Sequence, residues 1–364
     1  MKIGIITFTY GQNFGNKLQN YALLNVLSNI YGNEIYTLKN FDQTTNKNTF
    51  DHIKKNTKLL FNLHHERARR KKQKIFDSFS ENYLNYYSIP LKSNTVDELS
   101  DFDAFVCGSD QIWNPYYNKD LELFTAYFAK SGRRVSYAAS IGLSKIPAEK
   151  NELYKECIGS MDYIGVREEQ AAHIIKELTG KNAVVQIDPT MLVKKEIWSE
   201  FAKKPNKNIP KHYILTYFIC EMNDLAKNEV KKLADDTGLP VISLNDIANE
   251  DWYALNPNEF VWMIKNADYI LADSFHATVF SVIFHIPIHC FNRMSREKQN
   301  EQASRLQTLL KYFGLEKCIS NEAVQWDIDF SNVDDTIERL RESSVSSLID
   351  SLSDNIREER NFGE

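Results

Sequence analysis

Five short stretches of this chain place polar, chemically capable side chains directly after apolar runs. His276 stands in YILADSFHATVFSVIFHIP (269–287), early in a helix that follows a strand. There a helix N-terminus orients an imidazole for proton transfer, and Asp273 or Ser274 can cap it. Arg167 stands in YIGVREEQA (163–171), where a strand passes into a helix opening Arg167, Glu168, Glu169. Glutamates suit a first helical turn, but an arginine opposes the dipole, and a carboxylate or phosphate partner would explain it. In VCGSDQIWNP (106–115) a strand ends in Gly108, Ser109, Asp110 and Gln111, a turn with three hydrogen-bonding side chains at a sheet's carboxyl edge. Asn16 lies in NFGNKLQNYAL (13–23), a glycine-bearing turn opening a helix, where backbone amides can meet an anion. Arg305, in SRLQTLLKYFGL (304–315), follows Ser304, which reads as an N-cap.

Each stretch also has a plainer explanation. The first turn needs no ligand, Asp110 can cap a helix, and Trp113 can stack on a sugar or anchor its loop. Arg167 can pair with a local glutamate, and Arg305 can be a surface residue. Of the two histidines in 269–287, His285 fits a structural role better than His276. The basic run RARRKKQK (67–74) reads as a solvated helical face that can also lean on anionic lipid heads or a diphosphate.

The elements that must carry these residues alternate between short apolar runs and helical periodicity. KIGIITF (2–8), EIYTL (34–38), DAFVC (103–107), RVSYAA (134–139), YIGV (163–166) and AVVQID (183–188) read as strands. Helices are expected over 17–30, 64–84 and 167–180. The charged, proline-bearing segment 194–211 reads as a linker. Beyond it HYILTYF (212–218), PVISL (240–244), DYILAD (268–273) and PIHCF (287–291) read as strands, separated by helices over 223–238, 256–267 and 274–286. This predicts an α/β protein of two Rossmann-type domains facing a central cleft, residues 1–193 and residues 194–364, the second including the C-terminal helices.

At 364 residues the chain suits two such domains. Its 44 Lys and Arg against 49 Asp and Glu argue against nucleic-acid binding, which rests on an excess of cations. Five scattered cysteines without a Cys-x-x-Cys spacing argue against a disulfide framework or a zinc site. No apolar run is long enough to span a bilayer, and the N-terminus lacks a signal-peptide pattern, so the chain reads as cytoplasmic.

Six segments, NFGNKLQNYAL, FDAFVCGSDQIWNP, GVREE, IDPTMLVKKEIW, ADSFHATVFSVIFHIP and ASRLQTLL, resemble in order and spacing the polysaccharide pyruvyl transferase family over residues 1–315. The resemblance implies a GT-B-like fold and transfer of the pyruvyl skeleton of phosphoenolpyruvate onto a hexose, giving a cyclic pyruvate ketal and phosphate. Phosphoenolpyruvate is then a substrate, and neither a cofactor nor a metal is required. The implied acceptor is a saccharide of a surface-polysaccharide precursor (capsule or exopolysaccharide), often linked to undecaprenyl diphosphate, which would bring the enzyme to the inner face of the membrane. Arg167 corresponds to the family arginine that holds the donor's anionic groups, and His276 to its histidine, here assigned as general acid/base. Asp110 and Gln111 are candidates to orient acceptor hydroxyls. Some members carry arginine two residues before the histidine, where this chain has Ser274, and glycine after it, where this chain has Ala277. The arginine clamp is therefore missing or supplied by Arg305 or Arg293. A GT-B glycosyltransferase using a nucleotide sugar and a non-catalytic saccharide-binding homologue are the alternatives.

Overall fold

A computed structural model of the chain describes residues 1–40, 58–89, 99–118, 120–293, 303–319 and 324–353. The first unit opens with β1 (Ile3–Ile6), α1 (Phe14–Tyr31), β2 (Ile35–Asn40), α2 (Lys58–Tyr83), β3 (Tyr86–Ile89), β4 (Ala104–Asp110) and α3 (Leu121–Phe124). It continues through β5 (Arg133–Ala139), α4 (Asn151–Gly159), β6 (Gly165–Val166), α5 (Glu169–Thr179), β7 (Val184–Val185) and α6 (Pro189–Leu192). α7 (Lys195–Phe201) leads into the second unit: β8 (Ile214–Tyr217), α8 (Asp224–Thr237), β9 (Val241–Ser243), α9 (Glu250–Tyr253), α10 (Pro257–Lys265), β10 (Tyr269–Ala272), α11 (Phe275–Phe284) and β11 (Ile288–Cys290). α12 (Ala303–Tyr312) and α13 (Val333–Leu352) follow.

The strands form two all-parallel sheets, in the orders β3-β2-β1-β4-β5-β6-β7 and β11-β10-β8-β9. Strands buried on both faces explain the unbroken apolar runs: every residue of β1, β4 and β8 is buried. Each order reverses once, between β1 and β4 in the first sheet and between β8 and β10 in the second. Such switch points open a crevice at the carboxyl edge, where ligands of open α/β sheets bind. Asp110 is the last residue of β4, and Asn16 and His276 stand in the first turns of α1 and α11, the helices that follow β1 and β10.

The two units meet through aromatic side chains. Phe14, the first residue of α1, stacks on Phe260 of α10 with ring centroids 4.4 Å apart, and also touches Tyr217 at the end of β8. α13 spans both units: Arg133 Nε of β5 donates to the Ser351 carbonyl (2.8 Å), and His285 of the second unit pairs with Asp334 (2.9 Å). His285 is thus a structural histidine, ending α11 in a left-handed conformation.

Two local expectations are corrected. Residues 195–201 of the expected linker form α7, because Trp198 and Phe201 give them an apolar face against Tyr21 of α1 and Phe280 of α11. Arg167 does not open α5. It lies in the connection after β6, Glu168 takes the N-cap position and the helix starts at Glu169.

Trp198 is fully buried, and its indole donates to the Thr190 carbonyl at 2.8 Å. Trp198→Ala should lower unfolding free energy by roughly 3–5 kcal/mol in urea denaturation. A solvated linker would tolerate the change within about 0.5 kcal/mol.

Candidate functional site

The centre of the cleft is a carboxylate. Asp188 follows β7 and caps α6, its Oδ1 accepting from the Thr190 amide (3.0 Å) and hydroxyl (2.7 Å). Its Oδ2 accepts from Arg167 Nη1 at 2.9 Å and from the Ser109 hydroxyl at 3.3 Å, and lies 3.6 Å from His276 Nε2. The side chain is wholly buried. Burial pushes its carboxyl up, but His276, Arg167 and the Thr190 hydroxyl outweigh that and hold it well below the usual carboxylate range.

Arg167 joins this carboxylate to a second one. Its Nη2 lies 3.3 Å from Asp110 Oδ1, and its guanidinium carbon sits 4.2 Å from the centroid of the Phe275 ring. Burial opposes its charge, but Asp110, Asp188 and Glu168 raise its pKa further, so the cation is fixed. Burial likewise raises Asp110, whereas Arg167, His276 and Arg305 prevail and leave it below its ordinary value.

The loops that present these groups are held by their neighbours. The amide of Ser109 donates to Gln19 Oε1 (3.0 Å), and the Ser109 hydroxyl to the Ala138 carbonyl (2.8 Å). Gly108 adopts φ 140°, and a Cβ there would lie 2.0 Å from the Tyr137 carbonyl oxygen, so no other residue lets β4 turn this closely past β5. Glu168 Oε1 accepts from the Ser140 hydroxyl and the Ile141 and Gly142 amides, each at 3.0 Å, and ties the loop after β5 to the start of α5.

His276 is the second residue of α11. Ser274 caps that helix, its hydroxyl accepting from the Ala277 amide at 3.4 Å. The imidazole is buried between the units: a Cβ on Gly15 of α1 would lie 2.0 Å from its Nδ1, so only glycine leaves room for the ring. Nε2 has no hydrogen bond and faces Asp188 just beyond bonding distance, as catalytic pairs often do before a ligand tightens them.

A second cluster lies alongside. Asp273, Phe275, Phe291, Asn292, Arg293, Arg305 and Leu306 line a narrow recess at the carboxyl edge of the second sheet. Arg305 is buried, not a surface residue, and its guanidinium carbon stands 5.8 Å from the Phe275 ring centroid. Ser304 does not cap α12, which already starts at Ala303. Burial, with Arg167 and Arg293 nearby, pulls Arg305 down to about 9, so it keeps its charge at neutral pH. Arg293 Nε donates to the Asp273 carbonyl at 3.0 Å. Asp273 accepts from the Ile219 and Cys220 amides (2.6 and 2.9 Å), and burial still pushes its carboxyl up.

Of the residues expected from sequence, His276, Arg167, Ser109 and Asp110 share one network around Asp188, with Arg305 acting on it through charge. Ser274 is a helix cap. Asn16 is half-buried in the first turn of α1, next to Gly15. Gln111 is buried and accepts from the Asn114 side-chain amide (3.1 Å). Trp113 anchors its loop, fully buried with its indole on the Phe124 carbonyl (3.0 Å). Asp188, Glu168 and Gln19 were missed. The sequence reads Asp188 as the end of a strand; Asp-Pro-Thr, a helix cap with proline at N1, is the signal that places its carboxylate at the start of α6.

A family model described as polysaccharide pyruvyl transferase matches residues 13–295. No curated protein matches the chain. Among solved structures, the chain resembles MnaA of S. aureus determined with UDP (13% identity, TM-score 0.50, covering 95% of this chain and 91% of that one). It also resembles UDP-GlcNAc 2-epimerase from Neisseria meningitidis bound to UDP-GlcNAc (9% identity, TM-score 0.50, 97% and 99% covered). At these identities the likeness establishes the GT-B-like fold alone.

Asp188→Asn should cost about 1.5–3 kcal/mol at neutral pH, because it takes one of the two carboxylates from the buried Arg167 guanidinium. The folded carboxyl is depressed below the unfolded value of about 3.9. Its contribution is therefore complete above that value and is lost as pH falls toward the folded one. Urea denaturation should show the gap between wild type and variant narrowing below about pH 4.

Proposed function

Because the chain belongs to the polysaccharide pyruvyl transferase family, whose activity is ketal-forming pyruvyl transfer, we propose that its donor is phosphoenolpyruvate and its acceptor a hexose of a lipid-linked surface-polysaccharide precursor. The observation that carries this reading is the convergence, around Phe275, of two buried guanidiniums and a buried imidazole on the cleft. A small donor bearing a carboxylate and a phosphate calls for guanidiniums beside a proton-transfer group; Arg305 and Arg293 line the recess next to His276, while Arg167 is balanced by Asp110 and Asp188.

In the reaction, a proton reaches the methylene carbon of phosphoenolpyruvate and an oxocarbenium-like centre develops at C2. One sugar hydroxyl adds there and loses its proton. The C2–O bond to phosphate breaks, and the second hydroxyl closes the ring. One hydroxyl proton ends on the new methyl group and the other on phosphate, so the balance closes without an oxidant. His276 is assigned the proton transfers, with Asp188 stabilising the imidazolium. Both Nη groups of Arg167 are engaged by Asp110 and Asp188, so Arg167 holds the network while Arg305 and Arg293, which line the recess, supply charge for the donor's anionic groups. This answers the loss of the arginine at Ser274.

A lipid-linked acceptor agrees with the cationic face of α2, where Arg67, Arg69, Arg70, Lys71 and Lys74 are exposed. No helix among the described residues is long and apolar enough to cross a membrane, so such contact would be peripheral.

Phosphoenolpyruvate should raise the thermal midpoint, and with a lipid-linked saccharide should release phosphate. His276→Ala should slow release about 10²–10⁴-fold. Arg305→Gln should weaken phosphoenolpyruvate binding by roughly 1.5–3 kcal/mol. A thermal shift with UDP or GDP but none with phosphoenolpyruvate would move the assignment to glycosyl transfer.

A further inference from the structure

The basic run on α2 contains one cation unlike the rest. Arg69 pairs with Glu66, and Lys71 pairs with Glu250 of α9 across the units at 3.1 Å. Lys72 is 2% exposed, and no carboxylate among the described residues pairs with it. Its Nζ lies instead 4.3 Å from the centroid of Tyr253, 4.8 Å from that of Phe14 and 5.8 Å from that of Phe76. Burial pulls the ammonium down to about 8, so at neutral pH it remains a cation held by ring faces.

The rings come from both sides of the cleft. Phe14 and Phe76 belong to the first unit, and Tyr253 is the last residue of α9 in the second. Phe14 immediately precedes Gly15, the residue packed against the His276 ring, and stacks on Phe260 of the second unit. The contacts therefore run Tyr253, Lys72, Phe14, Gly15, His276. The dyad they adjoin is itself divided: His276 stands in the second unit and Asp188 in the first.

We propose that Lys72 is a positioning residue for pyruvyl transfer, clasping Tyr253 of the second unit to Phe14 of the first and so keeping the units in the register that brings His276 to Asp188. The inference rests on the functional reading above for its kinetic consequence, but its structural content stands apart from it. Lys71 and Glu250 reinforce the same clasp one residue away. The basic run therefore does two things: one face of α2 meets solvent, while Lys71 and Lys72 fasten the helix to the opposite unit.

Two variants at Lys72 separate charge from bulk. Lys72→Met keeps an unbranched side chain one atom shorter and loses the cation, whereas Lys72→Arg keeps a cation over the rings. Lys72→Met should lower kcat about tenfold while leaving KM for phosphoenolpyruvate within about twofold, because the register of His276 against Asp188 and not donor binding is impaired. Its radius of gyration in small-angle X-ray scattering should exceed that of wild type. Lys72→Arg should stay within about twofold of wild type in kcat and match its scattering profile. Wild-type kcat in Lys72→Met overturns the proposal, as does lost kcat with an unchanged scattering profile, or a Lys72→Arg protein as impaired as Lys72→Met. If Lys72→Met does not fold, Tyr253→Leu removes the ring on the other side and is judged by the same two readouts. If wild type turns over no phosphoenolpyruvate, the functional reading fails, and scattering alone decides the clasp.

Discussion

The cleft depends on one buried carboxylate. Asp188 is shared by Arg167, Ser109, Thr190 and His276, which come from four separate segments of the chain. A lone carboxylate at this depth would be neutralised or expelled. Here each oxygen has donors, and the flanking cations keep it ionised. That charge in turn justifies burying Arg167 and gives His276 an anion to face. Remove it, and the buried Arg167 guanidinium keeps Asp110 as its one paired carboxylate among the described residues.

The sheets explain why these groups can meet. In each sheet the order reverses next to a central strand, so loops part at the carboxyl edge and leave room between them. The aromatic contacts of Phe14, Phe260 and Tyr217 bring the two edges together. Gly15 makes the approach close enough for the imidazole of one unit to occupy space that a side chain of the other would fill. Geometry this tight is built from backbone and rings, which do not reorient, more than from long flexible side chains.

Much of this was legible in the sequence because parallel strands buried on both faces leave an unmistakable mark. Runs such as DAFVC and YILAD end in the polar residues that the edge of the sheet presents. Helix starts were harder. Arg-Glu-Glu after an apolar run looks like a first turn, yet Glu168 is spent on the Ser140 hydroxyl and the Ile141 and Gly142 amides, which leaves Arg167 outside the helix. Residues 195–201 looked like a charged linker because only Trp198 and Phe201 carry their apolar face. Asp188 closes AVVQID, which reads as a strand end, although β7 stops at Val185 and Asp188 caps α6. Arg305 read as exposed because its burial comes from Phe275 and the recess, contacts distant in sequence that no periodicity announces.

Ser274 shows how these constraints interact. Its hydroxyl caps α11, the helix whose first turn carries His276, and so fixes the orientation of the imidazole. An arginine at that position would give up the cap and add a fourth guanidinium beside Arg167, Arg293 and Arg305, where burial and the neighbouring guanidiniums already pull Arg305 down to about 9. Charge at the recess therefore comes from α12 and from the segment after β11, through Arg305 and Arg293. Ser274 thus keeps the helix start intact, while the guanidiniums that line the recess are supplied by other elements.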